Sequence, residues 1–190
     1  MGATQREKSH AIPIPLMIRR KLISDTVTSL LNCAGITGPA VDVKKLAESQ
    51  GAIVVEEPNE EKTSGFLFRA AGSPAIIGVN ADHSPTRKRF TVAHELAHLL
   101  LHVKNGVHVD YAVVKMRDAR ASEGTDEEEI EANRFAAEVL MPRSFLEADL
   151  AALGPINADD EKAIAALAGK YGVSPQAMAI RLSTLNLIWM

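Results

Sequence analysis

Two histidines four positions apart, with a glutamate directly after the first, are the residues best placed to do chemistry: His94, Glu95 and His98, within Thr91-Val-Ala-His-Glu-Leu-Ala-His-Leu-Leu-Leu-His102. On a helix turning about 100° and rising about 1.5 Å per residue, the two imidazoles lie about 40° apart in azimuth and one turn apart in height. Both therefore reach one ion. The spacing is H-E-x-x-H, a zinc-hydrolase signature in which both histidines ligate the metal and the glutamate is the general base. Zinc lowers the pKa of its water, and Glu95 is placed to take that proton as a carbonyl is attacked. Val92, Ala93, Leu96, Ala97, Leu99, Leu100 and Leu101 make this helix apolar on nearly every side, which is the pattern of a buried one. Ionisable groups held there are costly unless paired or metal-bound. The competing reading is a chance motif whose histidines are satisfied within a core.

A catalytic zinc takes three protein ligands and keeps one position open, so a third donor is needed. The extended zinc motif, which ends in a third histidine after a glycine turn, does not fit, because Leu101 stands where it requires the glycine and Lys104 where it requires the histidine. His102 shares the face of His98 but sits two turns above His94, too far along the axis to share the ion; it reads as a supporting or core histidine. His108 is a weaker alternative. The next helix is the better source. Its apolar stripe runs through Ala132, Phe135, Ala136, Val139 and Leu140. Measured from the stripe's centre, Glu128 and Glu129 fall within about 60°, Glu131 near about 100°, and Glu127 and Glu138 further away. Glu129 and Asn133 share the inward row that continues to Ala136 and Leu140. Asp126 and Glu127 read instead as a solvated first turn favoured by the helix dipole. Tyr111, His108 and His102 are the candidates for stabilising the oxyanion.

The elements that must carry these groups follow from periodicity and breakers. Residues 1–20, polar and then proline-punctuated, read as a flexible arm. Leu22, Ile23, Val27, Leu30 and Leu31 recur at helical spacing up to Cys33, and Asp42 caps a short helix running through Gln50. Ile53–Val55, Ser64–Phe68 and Ala75–Val79 are strand-like, the last two forming a hairpin over Ala71-Gly-Ser-Pro74. Ala75–Val79 is also a candidate free edge for an extended peptide. The active helix covers about 86–103, and Tyr111–Val114 is a possible short strand. Thr125-Asp-Glu-Glu128 has the form of a capping box that starts the next helix, and Pro142 stops it. Asp159–Leu187 reads as two helices broken at Gly172-Val173-Ser174, with Pro175 in a first turn. Arg87, Lys88 and Arg89 form a basic step that reads as a solvated helix start or, less simply, a contact for an acidic substrate segment.

The bulk properties exclude several classes. At 190 residues, 46% hydrophobic and 24% charged, the chain can bury a core without disulfides and is neither disordered nor collagenous. A formal charge of -3 supplies no global attraction to nucleic acid or anionic lipid. The single cysteine, Cys33, forms no internal disulfide and no cysteine-built metal site, and is expected as a partly buried thiol. With no signal-peptide pattern and no apolar run of membrane-spanning length, the expected location is cytoplasmic.

Two long motifs in order, Arg89–His102 and Glu129–Pro142, resemble the ImmA/IrrE-type zinc metallopeptidases. Weaker support comes from Ser64-Gly-Phe-Leu67, Ile77-Gly-Val-Asn80 and Tyr171–Leu182, so that the resemblance spans about residues 22–188. It implies an α+β fold: a zincin-like (gluzincin) core over 21–150 with a small antiparallel sheet and an active-site helix, and a helix-turn-helix-like tail over 155–190. It implies zinc on His94 and His98, with Glu129 as third ligand and Glu131 as its rival. Manganese and iron suit the same donors. It further implies an intracellular site-specific endopeptidase acting on a protein substrate, a helix-turn-helix repressor of mobile-element or stress genes. A metal-stabilised binding protein that sequesters a regulator or toxin, and a DNA-binding regulator using the tail, are the alternatives. The tail offers a DNA reader only Gln176, Arg181 and Asn186, so it reads as a packing or partner-docking unit and direct DNA binding is not expected.

Overall fold

A computed structural model of the chain describes residues 18–58, 63–102, 106–111, 123–154 and 156–189. In chain order the elements are α1 (Arg20–Cys33), α2 (Val43–Ser49), β1 (Ala52–Glu57), β2 (Thr63–Arg69), β3 (Ala75–Asn80), α3 (Pro85–Leu101), β4 (Gly106–Tyr111), α4 (Glu123–Leu140), α5 (Arg143–Leu153), β5 (Ile156–Asn157), α6 (Glu161–Tyr171), α7 (Pro175–Thr184) and β6 (Ile188–Trp189). The fold is mixed α+β. No helix among the described residues is long and apolar enough to cross a membrane.

Local chemistry sets most of these elements. Ile23, Val27, Leu30 and Leu31 form the buried face of α1, while Leu22 on its other side is exposed. Asp42 caps α2 by accepting from the Lys45 backbone N–H at 3.1 Å. Ser84 caps α3, with Pro85 in the first turn where its missing N–H costs nothing. Pro142 ends α4 and stands at the N-terminus of α5, a helix the apolar periodicity did not single out. Ser174 caps α7 by accepting from the Ala177 N–H at 3.1 Å, and Gly172 closes α6 in the left-handed conformation that glycine adopts freely.

The sheet departs from expectation in two ways. Its order is β1-β3-β2-β4, and β1 pairs with β3 in parallel, from Ala52↔Ala75 to Glu57↔Asn80, so the sheet is mixed rather than antiparallel. The β2–β3 hairpin is antiparallel as expected, and β4 adds to the other edge of β2, also antiparallel. Consequently β3 lies between β1 and β2 and has no free edge, which removes it as a site for an added peptide strand. The physical reason lies in its composition. Ala75-Ile-Ile-Gly-Val79 is a nearly unbroken apolar run, and Ile77, Val79 and Asn80 are all buried, the mark of a strand covered on both faces.

α3 lies on β2 and β3 and packs along α4; α2 rests on β1 and α3, and α1 on α4. The close approach of α3 to the sheet depends on Gly65. A Cβ there would press on Thr91 Cγ2 and sit 2.7 Å from the Gly78 carbonyl oxygen, and 3.6 Å from Glu95 Oε1. Thr91 can rotate, but the Gly78 backbone cannot yield without bending β3. Gly65→Ala is therefore expected to destabilise the protein by about 1–3 kcal/mol, the usual cost of overpacking, read as a lower urea midpoint with an unchanged slope.

Three further expectations meet the structure here. α4 begins at Glu123, ahead of Thr125, so Thr125 lies within the helix and does not start it. The strand after α3 is Gly106–Tyr111, earlier than Tyr111–Val114, and residues 112–114 lie outside those described. Cys33 is exposed, because it ends α1 on the side away from the buried face. Of the arm expected over 1–20, residues 1–17 lie outside the described part; Ile18 packs partly against the core and Arg19 binds Glu131.

Candidate metal centre

α3 buries a continuous run from Thr91 to Leu99, so the polar groups of the motif are held in the core. His94 and His98 are each 3% exposed and Glu95 is fully buried. On the facing helix, Ala132, Phe135, Ala136, Val139 and Leu140 are buried as the stripe predicts, which turns Glu129 and Asn133 toward α3.

Three side chains converge. His94 Nε2 and His98 Nε2 are 3.1 Å apart, His94 Nε2 is 3.3 Å from Glu129 Oε2, and His98 Nε2 is 3.5 Å from Glu129 Oε1. Ligands about 2.0–2.1 Å from a tetrahedral zinc stand about 3.3 Å from one another, and one donor atom from each of the three residues lies within 4.8 Å of the others, so the cluster suits such an ion in chemistry and in approximate size. The imidazoles are sealed, whereas the Glu129 side chain is 31% exposed, which opens the triangle on one side. These three are the residues among those described whose donors gather in this way.

The groups behind the triangle orient it. Asn133 Oδ1 lies 3.2 Å from His94 Nδ1, a hydrogen bond that holds the ring with its Nε2 toward the triangle. Neither apolar periodicity nor metal-ligand spacing assigned this job to Asn133; its place four residues after Glu129 on the inward row was the available signal. Glu128 is half-buried and stands outside the triangle. Glu131 is not a ligand: its carboxylate, 4% exposed, accepts from the backbone N–H and Nε of Arg19 and pairs with His102. The Arg19 hydrogen bond is the main reason its pKa falls to about 2, against the opposing effect of burial.

His102 is likewise corrected as a source of oxyanion stabilisation. Its ring is buried with Nδ1 3.1 Å from His98 Nδ1 and Nε2 3.0 Å from Glu131 Oε2, so both nitrogens are engaged away from any substrate. The side chains of His108 and Tyr111 lie outside the described part of the chain.

The basic step before the motif is structural. Arg87 Nη2 donates to Ser64 Oγ at 3.1 Å, and Lys88 Nζ reaches Glu56 at 2.7 Å. Half-buried Arg89 donates to the carbonyls of Gly172, Val41 and Tyr171 at 3.0, 2.9 and 3.3 Å. Arg87 stays exposed, as a solvated helix start would have it, and Arg89 is the residue drawn inward. Within the tail, Arg181 is 4% exposed and its Nε donates to the Met141 carbonyl at 3.1 Å, which withdraws one of the three side chains a DNA reader would have used.

A cavity of about 610 Å³ borders the site, lined in part by Phe90, Asn133, Ala137, Met141 and Ile180. Asn133 is shared between this cavity and the triangle, and the Phe90 ring centroid lies 6.3 Å from that of His94.

Comparison with known proteins agrees with this arrangement. The profile of the IrrE N-terminal-like domain, peptidase family M78, matches residues 47–183. Among solved structures the chain is similar to a Mycobacterium tuberculosis transcriptional regulator, with a TM-score of 0.56 at 20% identity over 85% of this chain and 55% of that one. At that identity the likeness shows the fold alone, and this chain spans little more than half of that regulator's length. No curated protein matches the chain.

Proposed function

Because this chain belongs to the IrrE N-terminal-like domain family of M78 peptidases, we propose that it is a zinc-dependent, site-specific endopeptidase of the cytoplasm with a zincin-like core. Its substrate is a protein, a helix-turn-helix repressor whose cleavage releases mobile-element or stress genes. The convergence of His94, His98 and Glu129 on one point, beside a buried Glu95, is the observation that carries this reading.

His94 Nε2, His98 Nε2 and the Glu129 carboxylate would hold the ion. Bound there, zinc supplies a Lewis acid and a water that ionises near neutrality. The remaining work falls to the chain. Glu95 takes the proton of the attacking water on its carboxylate and passes it to the leaving amine nitrogen. Asn133 fixes the ring of His94. A peptide lies extended along the outer edge of β4, which has no partner strand among the described residues. An apolar side chain of the substrate enters the cavity between Phe90, Ala137 and Ile180. The α6–α7 pair is a helix-turn-helix-like packing unit, tied to the core through Arg89 and Arg181.

Zinc-loaded protein incubated with a stoichiometric candidate helix-turn-helix repressor is expected to yield discrete fragments. A strong chelator should stop their formation and added zinc restore it. An intact repressor held in a lasting complex would overturn the peptidase reading in favour of sequestration.

A further inference from the structure

Behind the donor triangle runs an unbroken line of hydrogen bonds that the proposed reaction does not use. His98 Nδ1 meets His102 Nδ1 at 3.1 Å, and His102 Nε2 meets Glu131 Oε2 at 3.0 Å. Glu131 receives Arg19 through the backbone N–H at 2.8 Å and through Nε at 3.0 Å. His98, His102 and Glu131 are 3%, 8% and 4% exposed, so the line is shielded from solvent as far as Glu131, and only its Arg19 end, 46% exposed, reaches the surface. It joins residues from the start of α1, the end of α3 and the middle of α4.

The direction of every hydrogen bond along it follows from its far end. Paired with the Arg19 guanidinium, the Glu131 carboxylate can only accept, so the proton of the Glu131 contact sits on His102 Nε2. A neutral imidazole with Nε2–H accepts at Nδ1. His98 must then donate from Nδ1, which leaves the lone pair of its Nε2 on the side of His94 and Glu129. The line behind His94 ends differently, on the amide of Asn133, which can present either a donor or an acceptor by turning over. Only the His98 line terminates on a group that cannot donate.

Resting on the zinc reading above, we propose that Arg19, Glu131 and His102 are positioning residues that fix the Nδ1–H tautomer of His98 and so aim its Nε2 at the ion. Partners of this kind typically contribute 10–100-fold to metal affinity, and here the effect passes through an additional ring.

The test uses the full chain and zinc alone, with affinity measured by competition against a chromogenic chelator. His102→Leu keeps apolar bulk and removes the acceptor; it should weaken zinc binding by about 10–100-fold. His102→Asn places an amide oxygen where Nδ1 stood and should recover most of that loss. A role in packing alone reverses the order, with leucine the better tolerated of the two. Arg19→Met should weaken zinc binding in the same direction as His102→Leu. In zinc-loaded wild-type protein, long-range proton–nitrogen spectra should show His98 protonated at Nδ1 and His102 at Nε2. The opposite tautomers would overturn the assignment even if every variant failed to fold. Unaltered affinity in His102→Leu and Arg19→Met, with zinc bound by the wild type, would overturn it and spare the peptidase reading. A wild-type protein that takes up no zinc would overturn both.

Discussion

Glu95→Gln is expected to leave zinc bound one to one and to lower the rate of repressor cleavage by about 100- to 10,000-fold, the contribution of a well-placed general base. Glutamine preserves the shape of the side chain, and in a fully buried place its neutral amide is less costly to desolvate than a carboxylate. The ligand triangle of His94, His98 and Glu129 is untouched, so metal content should not change. What disappears is a group that can accept and return a proton. Single-turnover fragment formation, measured beside the zinc-to-protein ratio, separates the outcomes. An unchanged rate would place the base elsewhere, and loss of zinc would make Glu95 a ligand.

Arg89→Leu is expected to have the largest effect on stability away from the ion, of order 3 kcal/mol. Its guanidinium serves carbonyls from three residues, Val41 ahead of α2 and Tyr171 and Gly172 at the end of α6. Removing it leaves part-buried oxygens without a donor, at about 1–3 kcal/mol each when solvent cannot fully replace it. For a domain of this size that is a fall in melting temperature of about 6–12 °C. Lysine should not rescue the variant, because one ammonium cannot match the divergent donors of a planar fork. A melting temperature within a degree of wild type would show that water satisfies those carbonyls and that the tail is not held through α3.

The site was legible where its information is local. The motif on α3 and the uninterrupted apolar residues around it place two imidazoles and a carboxylate in the core without reference to anything else. A second local signal, the stripe of α4, narrowed the third donor to Glu128 and Glu129, and the resemblance selected Glu129 from that pair. Strand order was not legible, since periodicity says which face of Ala75–Val79 is buried and not which strands flank it. The double burial of that strand was nevertheless present in its composition. His102 was read as a supporting residue off the ligand set, but its engagement with Glu131 depends on Arg19, 112 residues before Glu131 in sequence, and no spacing rule spans that distance. Arg87, Lys88 and Arg89 carry charge, which suggests solvent. Their long stems instead let them reach Ser64, Glu56 and three carbonyls across the fold.

The donors of the triangle come from α3 and α4, and the line that steadies them ends at the threshold of α1, so an unfolded chain owns no such cradle. Binding of the ion to the folded chain alone therefore adds to the free energy of unfolding, about 2.7 kcal/mol when free ion exceeds its dissociation constant a hundredfold. On the proposed function, a cell short of that ion would hold not merely an idle protein but a more perishable one, and supply of the metal would govern how long the molecule survives as well as what it does.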